Sequence, residues 1–253
     1  MSELLVWPGL AASAWVVAAL AVLAGTMLQR LAGQGFGMIA APMVAMVAPE
    51  FVPATLLLVG IAVGLSSTAV DLRLVERADL PAGFAGRAAG AVLAALVAQR
   101  LAGDPALVAW VVGGTVYLGI ALSLLGVRVA ISRLSLFGAG VTAGLMGTLT
   151  AVGAPPMALL YQYHEARRSA AMQNVFFFWG MTVSILALAW QGLVGLTDLV
   201  LALSLLPMVA LGVALAGLVA RGDPLGQGRA RMRPVALGLA ALAATALIVT
   251  RAI

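Results

Sequence analysis

The sequence reads as an all-α polytopic membrane protein of two inverted repeats, each of five hydrophobic segments, with eight full transmembrane helices plus two short broken or re-entrant segments. Three observations carry that reading. Of 253 residues, 63% are hydrophobic and 9% charged, with a mean hydropathy of +1.12, whereas a soluble domain is about one quarter charged. Apolar runs near the ~20 residues that a helix needs to cross hydrocarbon recur along the whole length. Two of them are broken by Gly and Pro at matching places, Gly33-Gln34-Gly35-Phe36-Gly37-Met38-Ile39-Ala40-Ala41-Pro42 and Val152-Gly153-Ala154-Pro155-Pro156-Met157, with Gly37 and Gly153 separated by 116 positions.

In order, the segments are 10–30, 36–48, 52–70, 80–99 and 105–125, then 134–150, 153–163, 169–191, 197–219 and 233–250. Residues 10–125 form the first repeat and 134–250 the second, inside a single membrane transport domain, 1–253. The first run stays in the protein, because Met1-Ser2-Glu3-Leu4 lacks a positive leader and no small-residue cleavage motif follows. Segments 36–48 and 153–163 reach roughly 20 Å or less as helices, against about 30 Å of hydrocarbon. Each follows a break directly after a longer helix, so each pair reads as a hairpin or a discontinuous helix, and whether the short segments span or re-enter stays open. Irregular backbone at that depth must be packed in protein or face a water-filled cavity. The same offset sets Pro53-Ala54 against Ser169-Ala170, Gly64 against Gly180, Thr26 against Thr142 and Thr68 against Ser184. Five segments per half is odd, so the second half enters from the opposite side, as in many carriers. Residues 126–133 are the junction.

Every basic residue is Arg, and the net charge is +5. With the N-terminus outside, Arg73, Arg77, Arg128, Arg133, Arg167, Arg168, Arg221, Arg229, Arg231 and Arg233 share one face, and only Arg100 and Arg251 fall on the other. Arg30 and Arg87 sit nearer the membrane. This bias names the first face cytoplasmic and puts both termini outside an inner membrane. It explains the basic composition without a nucleic-acid partner.

At a break, the first N–H groups of the following half-helix lack partners and carry the positive end of its dipole, which suits an anion. Gly35 and Gly37 with Phe36 in the first break, and Gly153, Ala154, Pro155 and Pro156 in the second, are therefore candidate substrate-binding positions. Arg30, just before the first break, offers a planar fork of donors for oxyanions. Gln34 and Thr150 flank the breaks, and Gln173 and Asn174 are expected to open the helix after the second short segment; amides and hydroxyls donate to an anion without adding charge. For the glycines helix packing, and for the amides and hydroxyls polar interhelical contact, is the rival reading; for Arg30 it is snorkelling at the cytoplasmic interface. Arg87, about seven residues into its helix, reads as snorkelling or as a structural pair with Asp71, Glu76 or Asp79 rather than as a ligand contact.

The chain has no Cys and one His, His164, which excludes disulfides, thiolate chemistry and a His-rich metal cluster. His164 with Glu165, Arg167 and Arg168 reads as a solvated loop cluster, with proton coupling as the alternative. No Ser/His/Asp arrangement, His-Glu-x-x-His or paired intramembrane carboxylates are present, so no enzyme chemistry is expected.

The two broken motifs resemble those of the TauE/SafE family, also called the sulfite exporter or TSUP family, over essentially the whole chain. Gly35-Phe36-Gly37-Met38 through Pro42 matches the family's Gly-x-Gly-Gly-type run, with Met38 where a Gly is usual, and Pro53-Ala54-Thr55 matches its helix start. Gly153-Ala154-Pro155-Pro156-Met157-Ala158-Leu159-Leu160 resembles the branch with Gly-x-Pro-Pro, and Arg168-Ser169-Ala170-Ala171 is a loose second helix start. The resemblance implies transport of sulfur-containing anions such as sulfite, thiosulfate, sulfoacetate and related sulfonates, with no cofactor. From the residues alone comes a carrier of a small anion in a lipid bilayer, working by alternating access. The alternatives are a carrier or channel-like facilitator of other organic anions such as carboxylates, and a non-transporting membrane scaffold. Proton coupling and assembly as a homodimer are left open.

Overall fold

A computed structural model of the chain describes residues 5–6, 10–100, 104–222 and 227–251. Two short strands, β1 (Leu5–Val6) and β2 (Leu10–Ala11), pair antiparallel ahead of the helices. Ten α-helices follow: α1 (Ala12–Ala32), α2 (Phe36–Val47), α3 (Ala54–Asp71), α4 (Leu80–Ala98), α5 (Pro105–Leu124), α6 (Arg133–Thr150), α7 (Pro155–Tyr161), α8 (Ala166–Trp190), α9 (Leu196–Gly222) and α10 (Gln227–Arg251). Helices in membranes satisfy every backbone polar group internally, which is why so apolar a chain resolves into them.

Among the described residues, six helices are long and apolar enough to cross a membrane: Ala12–Ala32, Ala54–Leu74, Arg77–Ala98, Pro105–Leu124, Ala166–Trp190 and Leu196–Gly222. The expected segment 134–150 corresponds to α6, which falls outside that set because Gly, Thr, Ser and Arg133 dilute its apolar character. Leucines on the outer faces stay exposed, Leu20 by 56%, Leu93 by 52% and Leu186 by 63%, as lipid-facing side chains must. The expectations that both termini lie outside, and that Arg229, Arg231 and Arg233 face the cytoplasm, rest on termini and side chains outside the described residues.

The packing repeats. Helix α1 lies on α9 as α6 lies on α4; α3 lies on α9 as α8 lies on α4; α2 lies on α10 as α7 lies on α5. Other extensive contacts join α3 to α8, α1 to α2 and α5 to α10. The α4–α6 interface is the tightest, because small residues let two backbones approach. A Cβ on Gly86 would overlap the Phe137 carbonyl, and one on Gly90 the Val141 carbonyl.

Interactions between loops define two ends. At one, Arg167 pairs with Asp71 at 2.7 Å, Arg168 pairs with Glu76, the Tyr161 hydroxyl donates to Asp79 at 2.8 Å, and Gln162 donates to the Val127 carbonyl at 2.7 Å. At the other, Pro49, Glu50, Ala98, Asp104 and Leu193 surround a cavity of about 250 Å³, and Thr55 donates to Asp198 at 2.9 Å. The first hairpin, α1–α2, leaves and returns to this acidic end; the second, α6–α7, leaves and returns to the Arg-rich end. Helix α2 then covers about 18 Å and α7 about 10 Å of that return.

Candidate functional site

Both breaks are built by helix caps. Helix α1 ends at Gly33, whose φ of 73° is left-handed, and its N–H donates to the Gln29 carbonyl. Glycine takes that conformation at little cost, the usual device for stopping a helix. Helix α6 stops the same way at Ala151, φ 62°, its N–H donating to the Gly147 carbonyl. The Thr150 hydroxyl donates to the Met146 carbonyl and accepts the Val152 N–H, so Thr150 is spent on closing the turn. Pro155 and Pro156 open α7, where a missing N–H is harmless.

The two breaks touch. A Cβ on Gly37 would overlap the Ala151 carbonyl, so the carbonyl end of α6 lies against the amino end of α2. Two opposed dipole ends thus meet, and the peptide carbonyl covers part of the amide seat expected at the first break. Leu149, just before the second break, lines the acidic-end cavity. Gly33, in the first, lies against Ala170, where an added Cβ would sit 2.7 Å from the Ala170 Cα. The breaks therefore approach from opposite ends of the bundle.

Beside that contact lies Arg87. Its side chain is 3% exposed. Its Nη1 donates to the Ala143 carbonyl and, at 3.5 Å, to the Gly153 carbonyl of the second break, while its Nε has no partner. Room for the guanidinium exists because Gly147, Gly153 and Gly180 carry no side chain: a Cβ on any of them would run into it. Among the described residues Arg87 has no carboxylate in ion-pair range. Asp71, Glu76 and Asp79 are engaged by Arg167, Arg168 and Tyr161, so Arg87 neither snorkels nor pairs as expected from sequence.

Arg87, Gly153, Ala154, Met157, Gln173 and Phe177 line a hollow of about 10 Å³, roughly the room of one water. Of the sequence candidates, Gly153, Ala154 and Gln173 are there. Asn174 and Gln29 join the first break to α8: Gln29 Nε2 donates to the Asn174 Oδ1 at 3.0 Å and to the Gly33 carbonyl at 2.7 Å. Gln173 and Asn174 do not open their helix but lie two turns inside α8, which starts at Ala166 because Glu165 accepts the Arg167 and Arg168 N–H groups. Phe36 is fully buried and meets Phe177 edge to face at 5.8 Å, and Pro155 packs into the space above Gly119; both are packing contacts. Gly35, φ 125°, caps α2 against Leu28. Pro156 is buried at the start of α7. Gln34 is half-buried with an unpartnered Oε1, and Arg30 is half-buried in the last turn of α1. His164 is remote, tilted against Tyr161 at the Arg-rich end. The larger cavity bears Glu50 and Asp104, whereas the small hollow holds the buried cation Arg87.

Sequence reasoning passed over Gln29, Gly147 and Gly180 and gave Arg87 the wrong neighbours. The signal for Arg87 was present: a charge seven residues inside an apolar helix, flanked by Gly86 and Gly90, is a functional candidate by default.

Comparison with curated proteins and with solved structures returns no match. A model of the family described as Sulfite exporter TauE/SafE matches residues 17–247, a span that takes in both breaks, the buried Arg87, helices α2 to α9 whole and most of α1 and α10. This apolar helical bundle belongs to the TauE/SafE sulfite exporter family of membrane transporters.

Proposed function

We propose that the protein is a secondary transporter of small sulfur-containing anions, such as sulfite, thiosulfate, sulfoacetate or related sulfonates, moving them across the inner membrane by alternating access. The observation that carries this is Arg87, a guanidinium held in the bundle interior with peptide carbonyls around it and no carboxylate. An uncompensated buried charge is costly. A protein that keeps one has a use for it, and the planar fork matches two oxygens of a sulfite or sulfonate group. The partner that neutralises Arg87 is then the cargo, which arrives and leaves.

Support for two inverted repeats comes from the matched packing of α1–α5 and α6–α10 and from breaks that approach from opposite ends. In that architecture eight helices cross fully, and α2 and α7 complete the two hairpins. The positive-inside rule places the Arg-rich end in the cytoplasm. The hollow, with room for about one water, is the closed form of the site, and parting the Gly37–Ala151 contact widens it. An anion leaving an inside-negative cell is driven by about 2.3 kcal/mol per charge per 100 mV, so export needs no coupling ion.

The test is flux in proteoliposomes of purified protein, with sulfite, thiosulfate, sulfoacetate, sulfate and acetate. The expected result is movement of at least one sulfur oxyanion and not of acetate. Arg87→Gln should lower that flux by about a hundredfold, the scale of a lost charge-assisted pair, while the detergent-solubilised variant still elutes as one folded species. Acetate flux without sulfur-anion flux, or full activity in a folded Arg87→Gln protein, overturns the reading.

A further inference from the structure

Between the hollow beside Arg87 and the Arg-rich end lies a second apolar cluster, separate from the main core, that includes Leu136, Ala143, Met157, Tyr161, Met172 and Phe176. Ala143, Met157 and Phe176 line the hollow itself. On each helix the cluster continues from there toward the Arg-rich end, to Leu136 on α6, Tyr161 on α7 and Met172 on α8, so it floors the hollow on that side. Phe176 fits because Gly83 carries no side chain, a Cβ there overlapping its ring, and it meets Phe84 edge to face at 5.6 Å and Tyr161 at 6.2 Å. Such a layer is a barrier to an anion, because a charge entering it loses its water without gaining a partner.

Two members of the layer are fastened to one loop, residues 72–79 between α3 and α4. The Tyr161 hydroxyl donates to the Asp79 carboxylate at 2.8 Å, and the Glu76 N–H donates to Met172 Sδ at 3.1 Å. Tyr161 is buried, and a buried tyrosine needs a partner for its hydroxyl; here the partner belongs to the loop and not to the layer. Helix α7 has only seven residues and joins α6 through the break at residues 151–154, so it tilts without disturbing the tight α4–α6 interface. Met157 in its first turn and Tyr161 at its end then move together.

We propose that Met157, Tyr161, Met172 and Phe176 form the gate between the Arg87 hollow and the Arg-rich end, and that the Tyr161–Asp79 hydrogen bond is the latch that keeps it shut. Releasing the latch lets α7 tilt away from Met172 and Phe176, which opens the hollow to that end. This rests on the transport reading above and adds to it the residues that open the second half of the cycle.

A hydrogen bond to a charged acceptor biases a two-state equilibrium by about tenfold or more, so loss of the latch raises the open population by about that factor. Because the chain has no Cys, thiol accessibility reads this directly, with Ala143→Cys reporting on the hollow and Leu149→Cys on the acidic-end cavity. In detergent-solubilised protein, where both ends meet solvent, adding Tyr161→Phe should speed maleimide labelling of Ala143→Cys about tenfold and leave Leu149→Cys no faster. Asp79→Asn, which keeps an acceptor without the charge, should act in the same direction and serves if Tyr161→Phe does not fold. A general loosening of the bundle would speed both thiols. That outcome, or unchanged labelling of Ala143→Cys in a folded latch variant, overturns the gate and leaves sulfur-anion transport standing, since flux in proteoliposomes is measured separately. Absence of sulfur-anion flux in the wild type overturns the transport reading and the gate with it.

Discussion

Arg87 is sheltered by what its neighbours lack. Gly147 and Gly153 come from α6 and the second break, and Gly180 from α8; together they clear a space that only a long, planar cation fills. The consequence is testable at Gly180, where a Cβ would lie 2.6 Å from the guanidinium carbon. In an exposed helix Gly→Ala stabilises by about 1 kcal/mol, so a purely structural glycine should gain or hold stability on substitution. Gly180→Ala is expected instead to push the guanidinium from its carbonyls and cut sulfite flux by about tenfold, a loss of roughly one charge-assisted hydrogen bond. Gly138→Ala, with nothing within 4 Å of the added carbon, is the control and should leave flux unchanged. The sequence showed the charge, but not the clearing, because the three glycines lie 60, 66 and 93 positions downstream of Arg87 and look like the other small residues of a membrane bundle until the helices are brought together.

At the scale of elements, the two breaks are the same device executed with different residues. Each long helix ends in one left-handed residue, Gly33 in the first and Ala151 in the second. A non-glycine residue there costs roughly 1–2 kcal/mol, and Ala151 bears that cost while its carbonyl meets Gly37. Ala151→Gly should therefore raise the thermal midpoint of the purified protein, and Gly33→Ala should lower it, since its added Cβ also lies within 3.0 Å of the Gln173 Cβ. An unchanged midpoint in both variants would mean that the caps contribute no strain. The breaks themselves were legible from Gly and Pro, and so were the ten segments, because apolar runs of bilayer length have few other uses. The caps account for what was missed. Glu165 starts α8 three residues before the expected 169, which carries Gln173 and Asn174 from a helix opening into its buried interior, and the α6 and α7 ends at Ala151 and Ala154 shift the structural match of the breaks two or three residues from the 116 offset.

For the whole molecule, the two ends differ in charge and in access. The Arg-rich end is closed by Arg167–Asp71, Arg168–Glu76 and Tyr161–Asp79, whereas the acidic end holds the cavity of about 250 Å³ that reaches Leu149, two residues before the cap at Ala151. In the alternating-access cycle proposed above, a bundle open on one side and tied on the other is one half of the cycle, and with the Arg-rich end in the cytoplasm, as proposed, this half faces outward. The absence of Cys makes the orientation directly measurable, since any introduced thiol is the sole target. An impermeant maleimide on intact cells should label Thr197→Cys and Asp104→Cys, and should reach Arg73→Cys and Arg128→Cys only after permeabilisation; all four native residues are exposed. Leu149→Cys should label from the outside, because the cavity leads to it, and more slowly than Thr197→Cys because it is half-buried. Labelling of Arg128→Cys in intact cells would reverse the orientation, and with it the argument that the membrane potential alone drives the anion out.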